Sequence, residues 1–478
     1  MAIRVILELM IGIVFESKLS VAPVSCKFLN SLSAPSRIRL SLFVTCAVPF
    51  FISADVSIIN LALPSIASDF QASISDLQWV IVSYNIAIAG LLLLGAGLSS
   101  TLPLLIGSRV LMGIGGALIL TPALSLLAVI FPPEKRAKAI ATWAAAGGMG
   151  LVLGPVFAGV ILSFASFHWL FLVNVPFMFI LLIIGLKVLP PGASGNAISL
   201  DLVGVFLSVL GVTLFLGGLI EAPRAGWTSP LILGLLIGGI LVISGFVIWE
   251  LHHKNAMIEI RILRRRTVIA GSVTLFVCYV SFAGSLFLDT QQLQVVIGAS
   301  TIVTGLCVVP AALVFWILST RSSKVTQHFG HARTMLTGIA LASAAFALAA
   351  ATTPLKSAWM VILYLCVAGI GWALIIPVAT TIIVHFLPSK WVSSGSGTSM
   401  LARFLGASFG IAILGSVIAS VTGPGQAHTD LALLNDGLRR AYFAGAIVAL
   451  IGLLTARPLL RGWSPPDVSS GNDAEPYW

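Results

Sequence analysis

Long apolar stretches with few charged residues repeat along this chain, and they restrict the folds that it can adopt. Each stretch is close to the roughly 20 residues that a helix needs to cross the hydrocarbon of a bilayer. Only 9% of the 478 residues are charged and 58% are hydrophobic, whereas about a quarter of the residues in a soluble domain are charged. The sequence therefore predicts an all-α polytopic membrane protein with about 13 transmembrane helices. These fall near residues 41–63, 77–99, 104–130, 137–164, 169–189, 201–220, 231–250, 268–288, 302–320, 334–352, 358–387, 398–420 and 440–456.

Lysine and arginine are unevenly shared between the loops that join these stretches. From residue 131 onward, fifteen of them lie in the segments 131–138, 187–191, 251–266, 320–333, 388–391 and 457–463. The alternating segments hold only Arg224, Lys356, Arg439 and Arg440. Because cytoplasmic loops collect Lys and Arg, the pattern predicts a multi-pass protein of the plasma (inner) membrane with a cytoplasmic C-terminus. It also accounts for the net charge of +10 without any binding to nucleic acid.

Asp55 and Arg109 of the first half lie several residues inside predicted spans. A charge in hydrocarbon is costly, so such residues usually face a polar interior and a partner. Asp55 is then paired, protonated or exposed to a wet cavity. Alternatively, it lies near a helix end and reaches the membrane interface. Both residues are candidates for a functional site.

Glycines recur in and after the span that carries Arg109. The pattern R-V-L-M-G-I-G-G-A at 109–117 contains Gly113, Gly115 and Gly116. The pattern G-L-V-L-G-P-V-F-A-G at 150–159 contains Gly150, Gly154, Pro155 and Gly159. Proline removes a backbone donor and bends or loosens a helix, while glycine lets a neighbouring helix approach closely. The second pattern therefore predicts a packing seam between helices.

Four motifs of this chain, in the same order, resemble the major facilitator superfamily, and within it the fourteen-span drug:proton antiporters of the EmrB/QacA type. They are A-D and N-L-A-L-P within 54–64, the pattern at 109–117, the pattern at 150–159, and H-W-L-F-L-V-N-V-P at 168–176. In that family these positions correspond to the first span, the fourth span, the fifth-span antiporter motif and the start of the sixth span. Ala158 occupies one glycine position of the antiporter motif.

The chain departs from this family after its second predicted span. A basic gating loop resembling G-x-L-a-D-r-x-G-r-r and a third span are expected there, but residues 95–103 run straight into the fourth-span motif. If the basic loops are cytoplasmic, a chain of about thirteen spans instead of fourteen must begin its 41–63 span outside the cell. Either residues 1–16 cross the membrane as a substitute, or residues 77–103 form a fused, re-entrant or partly crossing element.

The resemblance implies a secondary transporter of two helical bundles, which exports amphipathic, often cationic drugs in exchange for protons by alternating access. It assigns proton coupling to Asp55 and Arg109. The residues expected along the substrate path are Asn60, Tyr84, Asn174, Asp289, Gln291 and Gln292. Two alternatives stay open. One is a non-transporting or degenerate relative, because a loop and a span are missing, and the other is an exporter of lipids, siderophores or anionic metabolites.

Polar residues of the second half each have two interpretations. The run D-T-Q-Q-L-Q at 289–294 follows the predicted 268–288 span. It either caps the helix end in water or contacts the substrate. Arg403 either pairs across the cavity or extends toward the basic cytoplasmic edge, and the second interpretation is favoured.

Patterns typical of enzymes and metal sites do not occur in the sequence. It has no His pair with metal spacing, no G-x-S-x-G and no phosphate-binding Gly-Lys-Ser/Thr loop, so we expect no cofactor, no metal and no enzymatic activity. The expected ligands are a small molecule, protons and membrane lipids, and no oligomeric state is indicated. The expected divisions are an N-terminal extension (1–40), an incomplete N-terminal bundle (41–190), a linker helix pair (191–255), a C-terminal bundle (256–460) and a disordered tail (461–478).

The predicted orientation places the 251–266 loop in the cytoplasm. In a background whose own cysteines are replaced by serine, a cysteine in this loop should react with a membrane-impermeant maleimide only after the cells are opened. A cysteine in the 221–230 loop should react in intact cells, because that loop belongs to the set poor in Lys and Arg. The reverse labelling pattern would contradict the orientation.

Overall fold

The structure is a computed structural model that describes residues 34–70, 76–78, 80, 101–110, 112–113, 116, 131, 133–188, 201–253, 262–263, 265–385, 392–423 and 430–460. Every regular element in these residues is a helix, so the prediction of an all-α protein is confirmed. The extension at 1–33, most of the predicted 77–99 and 104–130 spans and the tail from residue 461 lie outside the described residues.

The helices are numbered in chain order. They are α1 (Ala34–Phe70), α2 (Pro133–Leu162), α3 (His168–Leu172), α4 (Asn174–Val188), α5 (Leu202–Ala225), α6 (Pro230–His252), α7 (Arg266–Thr290), α8 (Thr301–Phe329), α9 (His331–Thr352), α10 (Ala358–His385), α11 (Val392–Thr422) and α12 (Leu431–Leu460). A π-helical turn, Gln291–Val296, continues α7. Residues 102–110 are also helical and carry Arg109.

Nine of the described helices, α1 and α5 to α12, are long and apolar enough to cross a membrane. The predicted spans 137–164 and 169–189 correspond to α2 and to the α3–α4 pair. Several helices extend beyond the predicted spans, because polar residues at a membrane surface can continue a helix after the hydrocarbon ends. Thus α12 begins at Leu431 and not near residue 440.

The second half of the chain forms one helical bundle. In it, α7 packs against α10, α11 and α12, while α9 packs against α10 and α12, and α8 packs against α10. In the first half, α1 packs along α2 and also contacts α4. The extensive contact between α2 and α8 joins the two halves. The structure therefore consists of helices packed side by side, with α2 at the junction.

Helices α5 and α6 form a hairpin whose open end is tied by side chains. Asp201 caps α5 by accepting the backbone N–H of Gly204 at 2.8 Å, and the same carboxylate accepts the indole N–H of Trp249 at 3.0 Å near the end of α6. The turn between the helices contains Gly226, whose φ of +87° is a conformation that favours glycine. Because α5 packs against α11, the hairpin lies on the outside of the second bundle, and most of α6 is exposed.

Helix α2 lies between α1 and α8 at distances that only glycine permits. A methyl group at Gly150 would overlap a backbone carbonyl oxygen of α1. On the opposite side, a methyl group at Gly159 would lie 2.9 Å from the Cα atom of Ile302 in α8. In α8 itself, a methyl group at Gly305 would lie 2.6 Å from the carbonyl oxygen of Pro155. The backbones therefore meet directly along both sides of α2.

Gly305→Ala should lower the thermal stability of the purified protein, because α2 and α8 must separate to make room for the methyl group. Overpacking of this kind destabilises a protein by about 1–3 kcal/mol. Gly234→Ala is the matched control, since nothing lies within 4 Å of a methyl group added there. The melting temperature in detergent should fall for the first variant only. Equal melting temperatures for Gly305→Ala and the unchanged protein would contradict the close packing.

Candidate functional site

A buried ion pair joins α1 to the helical segment at 102–110. Nη1 of Arg109 donates to Oδ2 of Asp55 at 2.7 Å, and the two side chains are 0% and 8% exposed. A hydrogen bond between two charged groups is stronger than one between neutral groups. The pair also neutralises two charges, each of which would be costly alone at this depth. This pairing explains how both charges are accommodated among apolar helices.

Segments from all four motifs meet at this ion pair. The guanidinium carbon of Arg109 lies 5.9 Å from the ring centre of Phe171 in α3, within the range of a cation–π interaction. A methyl group at Gly150 of α2 would lie 3.0 Å from the backbone nitrogen of Ala54, the residue before Asp55. The first-span, fourth-span, antiporter and sixth-span motifs therefore come together, although they are far apart in the sequence.

The other residues predicted for the first half are more dispersed. Asn60 is buried in α1. Asn174 begins α4 and donates from Nδ2 to the carbonyl oxygen of Leu170 at 2.8 Å, so in this structure it ties α3 to α4. Also buried are Gly113, Gly116, Gly154 and Pro155. Tyr84 and Gly115 lie outside the described residues.

A second buried polar cluster lies in the bundle of the second half. Oδ1 of Asp289 in α7 accepts the hydroxyl of Tyr364 in α10 at 2.6 Å and that of Tyr442 in α12 at 2.7 Å. The two hydroxyls are 2.9 Å apart, and they lie 3.2 and 2.9 Å, respectively, from Oε1 of Gln292. None of the four residues is more than 2% exposed. The cluster thus connects three helices through one carboxylate.

This cluster corrects one interpretation of the 289–294 run. The run does not cap a helix end in water, because the helix continues as the π-helical turn Gln291–Val296 and the first polar residues of the run are buried. Oδ1 of the carboxylate is bonded inside the bundle, since Tyr364 and Tyr442 both donate to it. Nε2 of Gln291 is buried and has no hydrogen-bond partner in the described part of the chain. Such π-helical turns often occur at functional sites.

The sequence does carry a signal for these two tyrosines, although the motifs do not point to them. Only five tyrosines occur in the chain, and Tyr364 and Tyr442 both fall inside predicted spans. A phenol group in that position usually has a hydrogen-bond partner. The partner itself could not be identified from the sequence, because Asp289 is 75 and 153 positions away from them.

Arg403 of α11 contacts two neighbouring helices. Its Nη2 donates to Oγ1 of Thr380 in α10 at 2.6 Å, and its guanidinium carbon lies 5.7 Å from the ring centre of Tyr279 in α7. The favoured interpretation, in which the side chain extends toward the basic cytoplasmic edge, stays a prediction, because Arg403 is only partly buried. Within the described residues no carboxylate pairs with it.

The described part of the chain contains no group of His, Cys, Asp or Glu residues arranged to hold a metal ion. Its cysteines, Cys46, Cys278, Cys307 and Cys366, are free thiols. The chemistry of the site therefore rests on the Asp55–Arg109 ion pair, the Asp289 cluster and the helices that hold them.

Comparison with known proteins relates this chain to membrane transporters. The family profile described as Major Facilitator Superfamily matches residues 86–411. The chain is 28% identical over 404 residues to the Tetracenomycin C resistance and export protein of Streptomyces glaucescens, covering 78% of this chain and 74% of that protein. It is 27% identical over 449 residues to the Multidrug resistance protein Stp of Mycobacterium tuberculosis, covering 86% of this chain and 83% of that protein.

Solved structures have a similar fold. A bacterial homolog of the human lysosomal transporter Spinster, in an inward-facing and occupied conformation, is similar with a TM-score of 0.59 and 17% identity, covering 91% of this chain and 100% of that chain. An auto-inhibited POT family peptide transporter is similar with a TM-score of 0.59 and 15% identity, covering 92% and 99%. At these identities the likeness establishes the fold alone, and it confirms the major facilitator fold expected from the sequence.

Breaking the buried ion pair should destabilise the protein strongly. Asp55→Asn or Arg109→Gln leaves one charge buried beside a neutral group, which should lower the free energy of unfolding by about 3–5 kcal/mol. The double variant should lose less than the sum of the two single variants, because it leaves neither charge behind. Unfolding titrations in mixed micelles measure these values.

The exposed Asp436–Arg440 pair of α12, with an N–O distance of 2.8 Å, is the matched control for this experiment. Arg440→Gln should change the free energy of unfolding by about 0–1 kcal/mol, as is usual for a pair in contact with solvent. Additive losses from Asp55→Asn and Arg109→Gln would mean that the two buried charges do not interact.

Proposed function

Because the chain belongs to the Major Facilitator Superfamily, whose members are membrane transporters and not enzymes, we propose that it is a proton-coupled secondary transporter. It exports small amphipathic or cationic drugs by alternating access. One bacterial relative is named for resistance and export and another for multidrug resistance, which supports drugs as substrates and the outward direction. The observation that carries the proposal is the buried ion pair between Asp55 and Arg109.

Asp55 is the residue to which we assign proton exchange. In the described conformation its charge is neutralised by Arg109 at 2.7 Å. A carboxylate exchanges a proton readily only when its solvation or its charged partner changes. When a cavity opens beside α1, water reaches Asp55, and a proton added to the carboxylate removes the attraction to Arg109. The site then has two states, a closed ion pair and an open neutral acid.

Helix α2 is assigned to the seal between the two halves. It packs against α1, which carries Asp55, and against α8 of the second half. Because glycines bring the backbones into contact on both faces, a small movement of α2 away from α8 opens the seam. The contact of Gly150 with the backbone beside Ala54 then transmits that movement to Asp55. Rocking of one bundle against the other is the usual motion in transporters of this architecture.

We assign the chain to the fourteen-span type of drug:proton antiporter, in the plasma (inner) membrane with its C-terminus in the cytoplasm. The α5–α6 hairpin supports this assignment, because in the sequence this pair of helices stands between the segments that form the two bundles. The bundles proposed here comprise 41–190 and 256–460, and the linker pair comprises 191–255. The substrate path is assigned to Asn60, Tyr84, Asn174, Asp289, Gln291 and Gln292.

Arg403 favours one alternative, an exporter of anionic compounds. Its guanidinium contacts a hydroxyl and an aromatic ring, and within the described residues it has no carboxylate partner. A positive charge placed in this way attracts an anionic group and repels a cation. The choice of dye in the transport experiment therefore distinguishes the two substrate classes.

Asp55→Asn should abolish proton-driven efflux of ethidium from proteoliposomes that contain the purified protein. The asparagine cannot bind and release a proton, so the imposed pH gradient no longer drives export. Asp69→Asn is the matched control, because Asp69 belongs to the same helix and is exposed. This variant should export ethidium at the rate of the unchanged protein.

Two outcomes would contradict the proposal in different ways. Undiminished efflux by Asp55→Asn would exclude this residue from proton coupling. Export of carboxyfluorescein but not of ethidium by the unchanged protein would replace the cationic substrate class with the anionic one. The fluorescence of each dye inside the vesicles measures both outcomes.

A further inference from the structure

The cluster around Asp289 can hold one additional proton without moving any heavy atom. Each phenol has two acceptors within reach. The hydroxyl of Tyr364 lies 2.6 Å from Oδ1 of Asp289 and 3.2 Å from Oε1 of Gln292, and for Tyr442 the distances are 2.7 and 2.9 Å. The two phenols supply only two hydrogens for these four contacts and for the contact between the hydroxyls. One further hydrogen therefore has a place in the cluster.

Both charge states of Asp289 have complete hydrogen bonding at Oδ1. When the carboxylate is ionised, both phenols donate to Oδ1. When a proton is added to Oδ1, the new O–H donates to one phenol oxygen, and that phenol turns its own hydrogen to Oε1 of Gln292. The reaction is simply the addition of one proton to a carboxylate, with no other bond formed or broken. The ionised state alone needs only Oδ1 of Asp289 as acceptor, and Oε1 of Gln292 is the additional acceptor that the protonated state uses.

No cation neutralises Asp289 in the described part of the chain. The titratable groups that contact it are the two phenols, and its second oxygen, Oδ2, is buried and has no hydrogen-bond partner among the described residues. The charged groups within spans on neighbouring helices are engaged elsewhere: Asp55 of α1 with Arg109, and Arg403 of α11 with Thr380. Arg439 and Arg440, beside Tyr442 in α12, are exposed. A proton is therefore the available positive charge.

The cluster is connected to the first half of the molecule through the π-helical turn. Nε2 of Gln294 in this turn donates to the carbonyl oxygen of Leu61 in α1 at 3.1 Å. Gln292 belongs to the same turn. Leu61 lies six residues after Asp55, about 9 Å along the helix. Separation of the two halves at this contact would pull on the turn that holds Gln292 and open a route for water to Oδ2 of Asp289.

We propose that Asp289, held by Tyr364, Tyr442 and Gln292, is a second proton-exchanging carboxyl group of the transport cycle. This proposal rests on the proposed function, in which Asp55 provides the first such group. α1 connects the two acids, so both exchange their protons as the halves separate. Export of one substrate molecule is then coupled to the entry of two protons instead of one.

Protons released when a substrate binds can be counted directly. Ethidium is added to purified protein in weakly buffered detergent solution, and a pH-indicator dye measures the protons released for each ethidium bound. The unchanged protein should release about two protons for each ethidium bound. Asp289→Asn and Asp55→Asn should each release about one, since each variant lacks one of the two acids that give up a proton. Thr274→Val is the matched control, because Thr274 is buried in α7 and bonds only to its own helix, at Ala270. This control should release as many protons as the unchanged protein.

The variants distinguish the two proposals. Release of as many protons by Asp289→Asn as by the unchanged protein would overturn the role of Asp289. Full release by Asp55→Asn would instead contradict the proposed function. If Asp289→Asn does not fold, infrared difference spectra of Asp55→Asn decide the question. In that variant the binding of ethidium should remove the C=O band of protonated Asp289. Adding Tyr442→Phe should shift this band, because Tyr442 is hydrogen-bonded to the carboxyl group. Absence of the band or of the shift would overturn the proposal.

Discussion

The neutralisation of charge inside hydrocarbon is the constraint on which the arrangement of the first half depends. Arg109 is fully buried, and its 2.7 Å bond to Asp55 makes that burial tolerable. Three neighbouring segments must then take positions compatible with the pair. α1 supplies the carboxylate, α3 places an aromatic ring near the guanidinium, and α2 packs its glycine face against α1 beside the pair. In this way four segments of the chain meet around a single polar contact.

The second half meets the same constraint differently. Asp289 has no cation beside it in the described residues, and two phenols stabilise it through neutral hydrogen bonds. Arg403 lies in the same bundle but is held by a hydroxyl and a ring. Asp289 and Arg403 therefore do not neutralise each other. The first half contains a buried salt bridge, whereas Asp289 and Arg403 of the second half remain separate.

The sequence predicts the general architecture well, because the length and the polarity of a membrane helix are local properties. The fold class and most span positions follow from runs of about 20 apolar residues. The motifs also indicate that Asp55 and Arg109 belong to a functional region. Their direct contact is a long-range property, as is the joining of Asp289 to Tyr364 and Tyr442. Neither can be read from spacing, because helix rotation decides which side chains meet. The contact of Arg403 with Thr380 shows the same limit, since it also joins side chains of two different helices.

The exposed face of α6 has a consequence for how this protein can vary. At Gly234, Gly238 and Gly245, a methyl group would meet nothing within 4 Å, and large apolar side chains such as Leu241 and Ile248 are more than half exposed. No protein surface in the described residues selects for a particular shape there. Lipid chains are fluid and adapt to an apolar surface of any shape. Natural selection therefore acts on the hydrophobicity of this face and not on the identity of its residues. Homologous chains can therefore diverge most rapidly on the outer side of this hairpin while its inner side stays recognisable.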